Sequence, residues 1–248
     1  MKFLPACLII FLSITFYGCV QPNYNRLWFF TYDVDKSPVN KTGLTPASFL
    51  ELRPDKTFTR DFGRFEYGTW EINGNRLLLS NQFGDKIAVA VRYMKGNNMQ
   101  LIPDEFGTVD FEGQALPAAA DDPFSLKKNR WRLKATAHES TEQLGDRLKN
   151  HFAFWESYFR WALENHITYI DVRSTPTPIK IYGNGFTIKP FDDLPQEWKS
   201  FFYDSVDCRQ ANAILEDLVK KNNIAWAHTD NKYKMFISAF QQLQQFVP

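Results

Sequence analysis

From Arg26 to about Ala115, short runs in which hydrophobic and polar residues alternate are separated by turn residues, and no helical period lasts three turns. Ser48 to Leu52 and Thr57 to Thr59 flank Arg53-Pro54-Asp55-Lys56, where proline and aspartate suit a turn. Tyr67 to Ile72 joins Arg76 to Ser80 across Asn73-Gly74-Asn75, and Asn-Gly is a strong hairpin signal. Ile87, Val89, Val91 and Tyr93 alternate as a half-buried strand does. After the turn Lys95-Gly96-Asn97-Asn98 come Met99 to Ile102 and Thr108 to Phe111. Six to eight antiparallel strands in sequence order predict an up-and-down sheet or barrel.

Residues 116–130 carry Pro117, three alanines and Asp121-Asp122-Pro123 without a hydrophobic period, which places a linker there. From Trp131 the period becomes helical. Ser140-Thr141-Glu142-Gln143 has the form of a capping box. Behind it Leu144, Leu148, Phe152, Trp155, Phe159 and Leu163 form one apolar stripe, and His151, Phe154, Tyr158 and Trp161 form a second. A helix apolar on two sides is expected to lie between the sheet and later helices. Thr168 to Val172 reads as a strand, and Ile179 to Tyr182 with Phe186 to Lys189 reads as a hairpin. Three further helices are expected. The first starts at Pro195 and carries Trp198, Phe201 and Phe202, the second spans about Cys208 to Lys221, and the last runs from about Asn231 to Phe246. The fold class predicted is α+β, an antiparallel β meander or barrel over 26–115 followed by a helix-rich α+β domain over 131–248.

The first residues read differently. Lys2 precedes an apolar run from Phe3 to Phe16 that is shorter than the roughly 20 residues a spanning helix needs, so 1–18 reads as a signal peptide. Gly18-Cys19 at its end resembles the lipobox of bacterial prolipoproteins. That resemblance implies acylation of Cys19, a tether over 19–25 and an outer-membrane lipoprotein facing the periplasm. Cleavage by an ordinary signal peptidase would instead leave Cys19 as a free thiol. With Cys7 in the removed segment and Cys19 at the anchor, Cys208 is the body's one remaining cysteine of the chain's 3, so no internal disulfide is expected. It reads as a buried apolar thiol.

Losing Lys2 lowers Lys plus Arg from 29 to 28, equal to the 28 Asp plus Glu, and such a balance offers no basic field for nucleic acid. The aromatic content of 16% points to large aromatic cores, because these side chains bury the most area.

Phe49-Leu50-Glu51-Leu52-Arg53-Pro54-Asp55-Lys56-Thr57-Phe58 and Tyr67-Gly68-Thr69-Trp70-Glu71-Ile72 resemble the lipocalin-like domains of bacterial lipoproteins, and Trp28 is similar to the tryptophan that opens lipocalin barrels. The resemblance implies a β-barrel and carries no catalytic residue. Asn129-Arg130-Trp131-Arg132 and Glu197 to Tyr203 resemble regions of exported proteins that pair with such domains, and this adds no activity.

Catalytic motifs are missing from the chain. His138, His151, His166 and His228 show no i, i+3 or i, i+4 pairing, so no metal site is expected from helical spacing, and no cofactor is implied. Asp33-Val34-Asp35 begins like a calcium loop but has Pro38 where glycine is needed and Leu44 where glutamate is needed. No nucleophile elbow, Walker loop or dinucleotide fingerprint occurs. Glu105, Asp122 and Glu139 are isolated carboxylates with no preferred pair. Asp121-Asp122 and Asp192-Asp193 read as turn and cap residues. The expected function is therefore non-catalytic: binding of an apolar ligand or an envelope protein by a membrane-anchored barrel. The alternatives are a structural interaction protein without a cavity and, from another class, a carboxylate enzyme acting on envelope glycans.

Overall fold

The computed structural model describes residues 22–31, 44, 48–102, 108–167, 177–182, 185–222, 224 and 231–248. The signal segment, Cys19, Glu105 and the strand expected from Thr168 to Val172 lie outside the described residues.

Eight strands run in sequence order and close into one antiparallel barrel: β1 (Leu27–Phe30), β2 (Phe49–Leu52), β3 (Thr57–Asp61), β4 (Phe65–Asn73), β5 (Arg76–Asn81), β6 (Lys86–Lys95), β7 (Asn98–Ile102) and β8 (Val109–Gln114). Closure is made by β1 against β8, with Phe29 opposite Glu112, so neither strand is left as an edge. The period-2 alternation puts Trp28, Leu50, Phe58, Trp70, Leu79, Val89, Leu101 and Phe111 inside, in one apolar cluster that also takes in Leu44. Gly74 and Gly96 sit at φ of 60° in the β4–β5 and β6–β7 turns, a conformation in which a side chain is strained.

Strand residues of opposite parity point outward, and on β1, β2 and at Phe65 of β4 they are buried. Leu27, Phe29, Phe49 and Phe65 belong to the same cluster as the helices. The stretch before the helices is ordered by what it buries: Phe124 is fully buried, and it is followed by the one-turn α1 (Leu126–Asn129) and a 3-10 turn over Arg130–Arg132. Phe124 packs edge-on against Phe49 at 4.8 Å on the barrel and against Trp161 at 5.2 Å on the helical side.

The helix α2 (Thr141–Glu164) starts at the expected capping box, with the Gln143 amide N–H donating to the Ser140 hydroxyl and the Ser140 N–H to the Gln143 side chain. Its two apolar stripes serve two partners. Tyr158 and Trp161 meet Phe29 at 6.3 and 5.2 Å on the barrel wall. Phe159 stacks on Phe236 at 4.8 Å and on Phe240 at 6.0 Å of α5 (Lys232–Phe246). The helix is thus sandwiched, and its solvated line carries the Glu156–Arg160 ion pair at 2.8 Å.

The hairpin β9 (Ile179–Tyr182) and β10 (Gly185–Ile188) forms as expected. The helix expected from Pro195 is a single turn, α3 (Gln196–Lys199), and Phe201 and Phe202 follow in turns. No side chain caps its start, and Asp193 instead lies in a 3-10 turn over Phe191–Asp193. Trp198, Phe201 and Phe202 stand at i, i+3 and i+4, the spacing of one helix face, and all three are buried although the helix itself stops after one turn. The next helix, α4 (Ser205–Asn222), starts three residues before the predicted Cys208 and buries that residue. The whole is an α+β fold, barrel first and helices second.

Candidate functional site

The two ends of the barrel interior differ in chemistry. At the end of the β2–β3 and β4–β5 turns the interior is shut by aromatic rings. Tyr24 lies 6.4 Å from Trp70, the Trp28 indole N–H donates to the Tyr24 carbonyl at 3.1 Å, and the Trp70 indole N–H donates to the Arg53 carbonyl at 3.0 Å. Lys56 caps the Trp70 ring at 4.0 Å.

At the other end, the mouth, three polar residues face inward. Arg60 and Glu66 are cross-strand partners, and Arg60 Nε donates to Glu66 Oε2 at 2.5 Å. Asn81 Nδ2 donates to Glu66 Oε1 and to Asp85 Oδ2, each at 3.1 Å. Glu66 and Asn81 are buried. Around them stand apolar rings: the Arg60 guanidinium is 5.1 Å from Phe62, Phe62 is 5.5 Å from Phe111, and Phe111 is 6.3 Å from Phe30. On the rim Arg64 lies over the exposed ring of Phe83 at 3.7 Å. An ion pair taken out of water costs several kcal/mol per ion before its attraction is counted, so its place inside a barrel of aromatic walls marks the mouth as the candidate binding site.

On the outer wall of β2 and β3 lies a second polar group. Arg53 pairs with Glu51 and, at 3.2 Å, with Asp122, while Thr59 Oγ1 lies 3.0 Å from Glu51 and 2.9 Å from the Phe124 carbonyl. Burial, and after it the neighbouring Asp122 carboxylate, pushes the Glu51 carboxyl up to about 8. Asp122, isolated in the sequence, thus acquires a carboxyl partner from a strand. With Glu51 1% and Asp122 4% exposed, no substrate reaches the pair, and its work is to clamp the segment after the barrel onto the wall. Glu139, another isolated carboxylate, is held by Arg147 at 2.6 and 2.7 Å.

The histidines fall into different environments. His151 is buried among Trp131, Trp155 and Trp198, and burial, then the Arg132 charge, holds its imidazole well below the usual range. It is a neutral core residue. His138 precedes α2 and meets the start of α4: its Nδ1 is 3.0 Å from Asp207 Oδ1, and its Nε2 is 3.7 Å from Asp204 Oδ2. The Asp207 hydrogen bond raises its pKa. Among the described residues, His138, Asp204 and Asp207 are the group able to hold a metal ion, their donor atoms lying within 4.8 Å of one another. No local spacing announces it, because the two acids are 66 and 69 positions away along the chain.

Cys208 is buried, and burial pushes its thiol up to about 11, so it is no nucleophile at neutral pH. Asp192 and Asp193 lie in the 3-10 turn and Asp121 in a turn, as expected of turn residues, but Asp193 does not take the capping role also expected of it.

No protein-family model matches the chain, and no curated protein or solved structure matches it. The class of protein is therefore set by the fold: an eight-stranded closed antiparallel barrel consistent with a lipocalin-like architecture, followed by a helical region. No helix among the described residues is long and apolar enough to cross a membrane.

Proposed function

We propose that this chain is a non-catalytic, lipid-anchored protein of the cell envelope that binds a small amphipathic ligand at the barrel mouth. The signal-like segment 1–18 and the acylated Cys19 would deliver it to the periplasmic face of the outer membrane. The observation that carries the binding reading is the Arg60–Glu66–Asn81 group beneath Phe62 and Phe111. The rings offer apolar surface to a short hydrocarbon part, and Arg60 and Asn81 offer hydrogen bonds to a polar head. The ligand is a shallow one, since Trp28, Phe58 and Trp70 fill the interior below.

That filled interior also favours a second reading, in which the rim receives a segment of an envelope protein and no small molecule. Native mass spectrometry of residues 20–248 separates the two. A co-purifying mass that is lost in Arg60→Ala supports the small ligand. An empty chain that also fails to bind amphipathic probes by tryptophan fluorescence overturns it and leaves the protein partner, to be sought by crosslinking in intact envelopes. The anchor is tested separately, since Cys19→Ser should remove an acyl-sized mass and release the chain from the membrane fraction.

A further inference from the structure

We propose that His138 and Asp204 bind a divalent transition-metal ion, with Asp207 orienting the histidine. The site lies in the helical half and is independent of the barrel mouth.

Asp207 is 3% exposed and rigidly held, its Oδ2 accepting the Glu139 N–H at 3.1 Å. Its Oδ1 stands 3.0 Å from His138 Nδ1 and accepts that nitrogen's N–H, so in the neutral imidazole the lone pair is the one on Nε2. A carboxylate behind a ligating histidine is the usual outer-shell arrangement of metal sites. Nε2 is directed towards Asp204 Oδ2 at 3.7 Å, too long for a hydrogen bond. Two ligands each about 2.1 Å from a tetrahedral ion stand roughly 3.4 Å apart, so a shift of a few tenths of an ångström completes the pair. Asp204 is preset for this role: Oδ1 accepts the N–H groups of Val206 at 2.8 Å and Asp207 at 3.1 Å, which leaves Oδ2 facing the histidine.

The charge balance points the same way. Among the described residues no lysine or arginine pairs with Asp204 or Asp207, and Arg147 is engaged by Glu139. Two adjacent carboxylates, one of them buried, thus have no lysine or arginine counter-charge among the described residues. A divalent ion supplies it. The His138 side chain is 64% and that of Asp204 39% exposed, so an ion enters from solvent and keeps water in its remaining positions. One imidazole and one carboxylate suit zinc, cobalt or nickel better than calcium or magnesium, which take all-oxygen shells.

The experiment is titration of residues 20–248 with Co2+, followed by its visible absorption, and with Zn2+ by calorimetry. One ion per chain is expected, with Zn2+ displacing Co2+. His138→Ala should abolish binding, Asp204→Asn should weaken it at least about tenfold, and Asp207→Asn should weaken it about 10- to 100-fold with an unchanged circular dichroism spectrum, as outer-shell losses do. His166→Asn, away from the site, should bind as the unaltered chain does. No saturable binding of either metal, or binding that survives His138→Ala, overturns the proposal.

Discussion

Arg132, in the 3-10 turn before α2, donates to the Asp61 carboxylate of β3 at 2.5 Å, and this ion pair joins the helical half to the barrel wall. The guanidinium is buried and also lies 4.5 Å from the Phe154 ring. Burial alone lowers its pKa, and Asp61 opposes that. Removing one partner of a buried pair costs about 3–5 kcal/mol because the other is left uncompensated. Arg132→Ala is expected to lose about 3 kcal/mol, at the lower end because Asp61 keeps some access to water, and urea unfolding measures it. Arg132→Met, which restores apolar packing, should lose less.

Phe124 makes edge contacts with Phe29, Phe49, Tyr158 and Trp161 within 5.6 Å and is fully buried. Phe124→Ala therefore empties a site walled by both halves. A loss of about 3–5 kcal/mol is expected in chemical denaturation. If the halves unfold together in the unaltered chain, the variant is the place to look for two separate transitions.

The raised Glu51 carboxyl makes stability depend on pH. The unfolded carboxyl titrates near 4.5 and the folded one at about 8, so between these values the folded chain holds a proton that the unfolded chain has released. The contribution of this group is fully present below about pH 4.5 and is lost as pH rises through about 8. Glu51→Gln keeps the neutral shape and should flatten this part of the profile. At pH 8.5 the variant is expected to melt at a higher temperature than the unaltered chain, with the difference shrinking towards pH 5.

Gly113 faces into the barrel directly beneath Trp28, where an added Cβ would stand 2.7 Å from the indole ring. Gly113→Ala should displace Trp28 and weaken the β1–β8 closure by about 1–3 kcal/mol, the usual range for overpacking. Thermal melting, with the Trp28 environment followed by near-ultraviolet circular dichroism, measures both effects.

The local elements of this chain are written in local signals. Asn73-Gly74 and Gly96-Asn97 fold back whatever flanks them, and the alternation of Ile87, Val89 and Val91 suits a sheet with a wet side and a dry side. Ser140 to Gln143 satisfy the first amide groups of α2 from within their own turn, and the two stripes behind them already require partners on two sides. Such features depend on residues a few positions apart, so they are legible in the sequence.

Closure of the sheet and the chemistry of both candidate sites were decided elsewhere. Whether β1 meets β8 depends on twist accumulated over eight strands, which no single segment encodes. Arg60 and Glu66 fall outside the strands read from the sequence, and only the register sets them across from each other on the inner face. His138 finds Asp204 and Asp207 only because the packing of α2 with α4 brings distant segments together. Trp198, Phe201 and Phe202 suggested a longer helix, and all three are buried, but the helix stops after a single turn. The sequence by itself determined which segments become strands and helices and which faces are apolar. Tertiary packing alone decided which polar groups stand together, because proximity across many residues is a property of the folded chain.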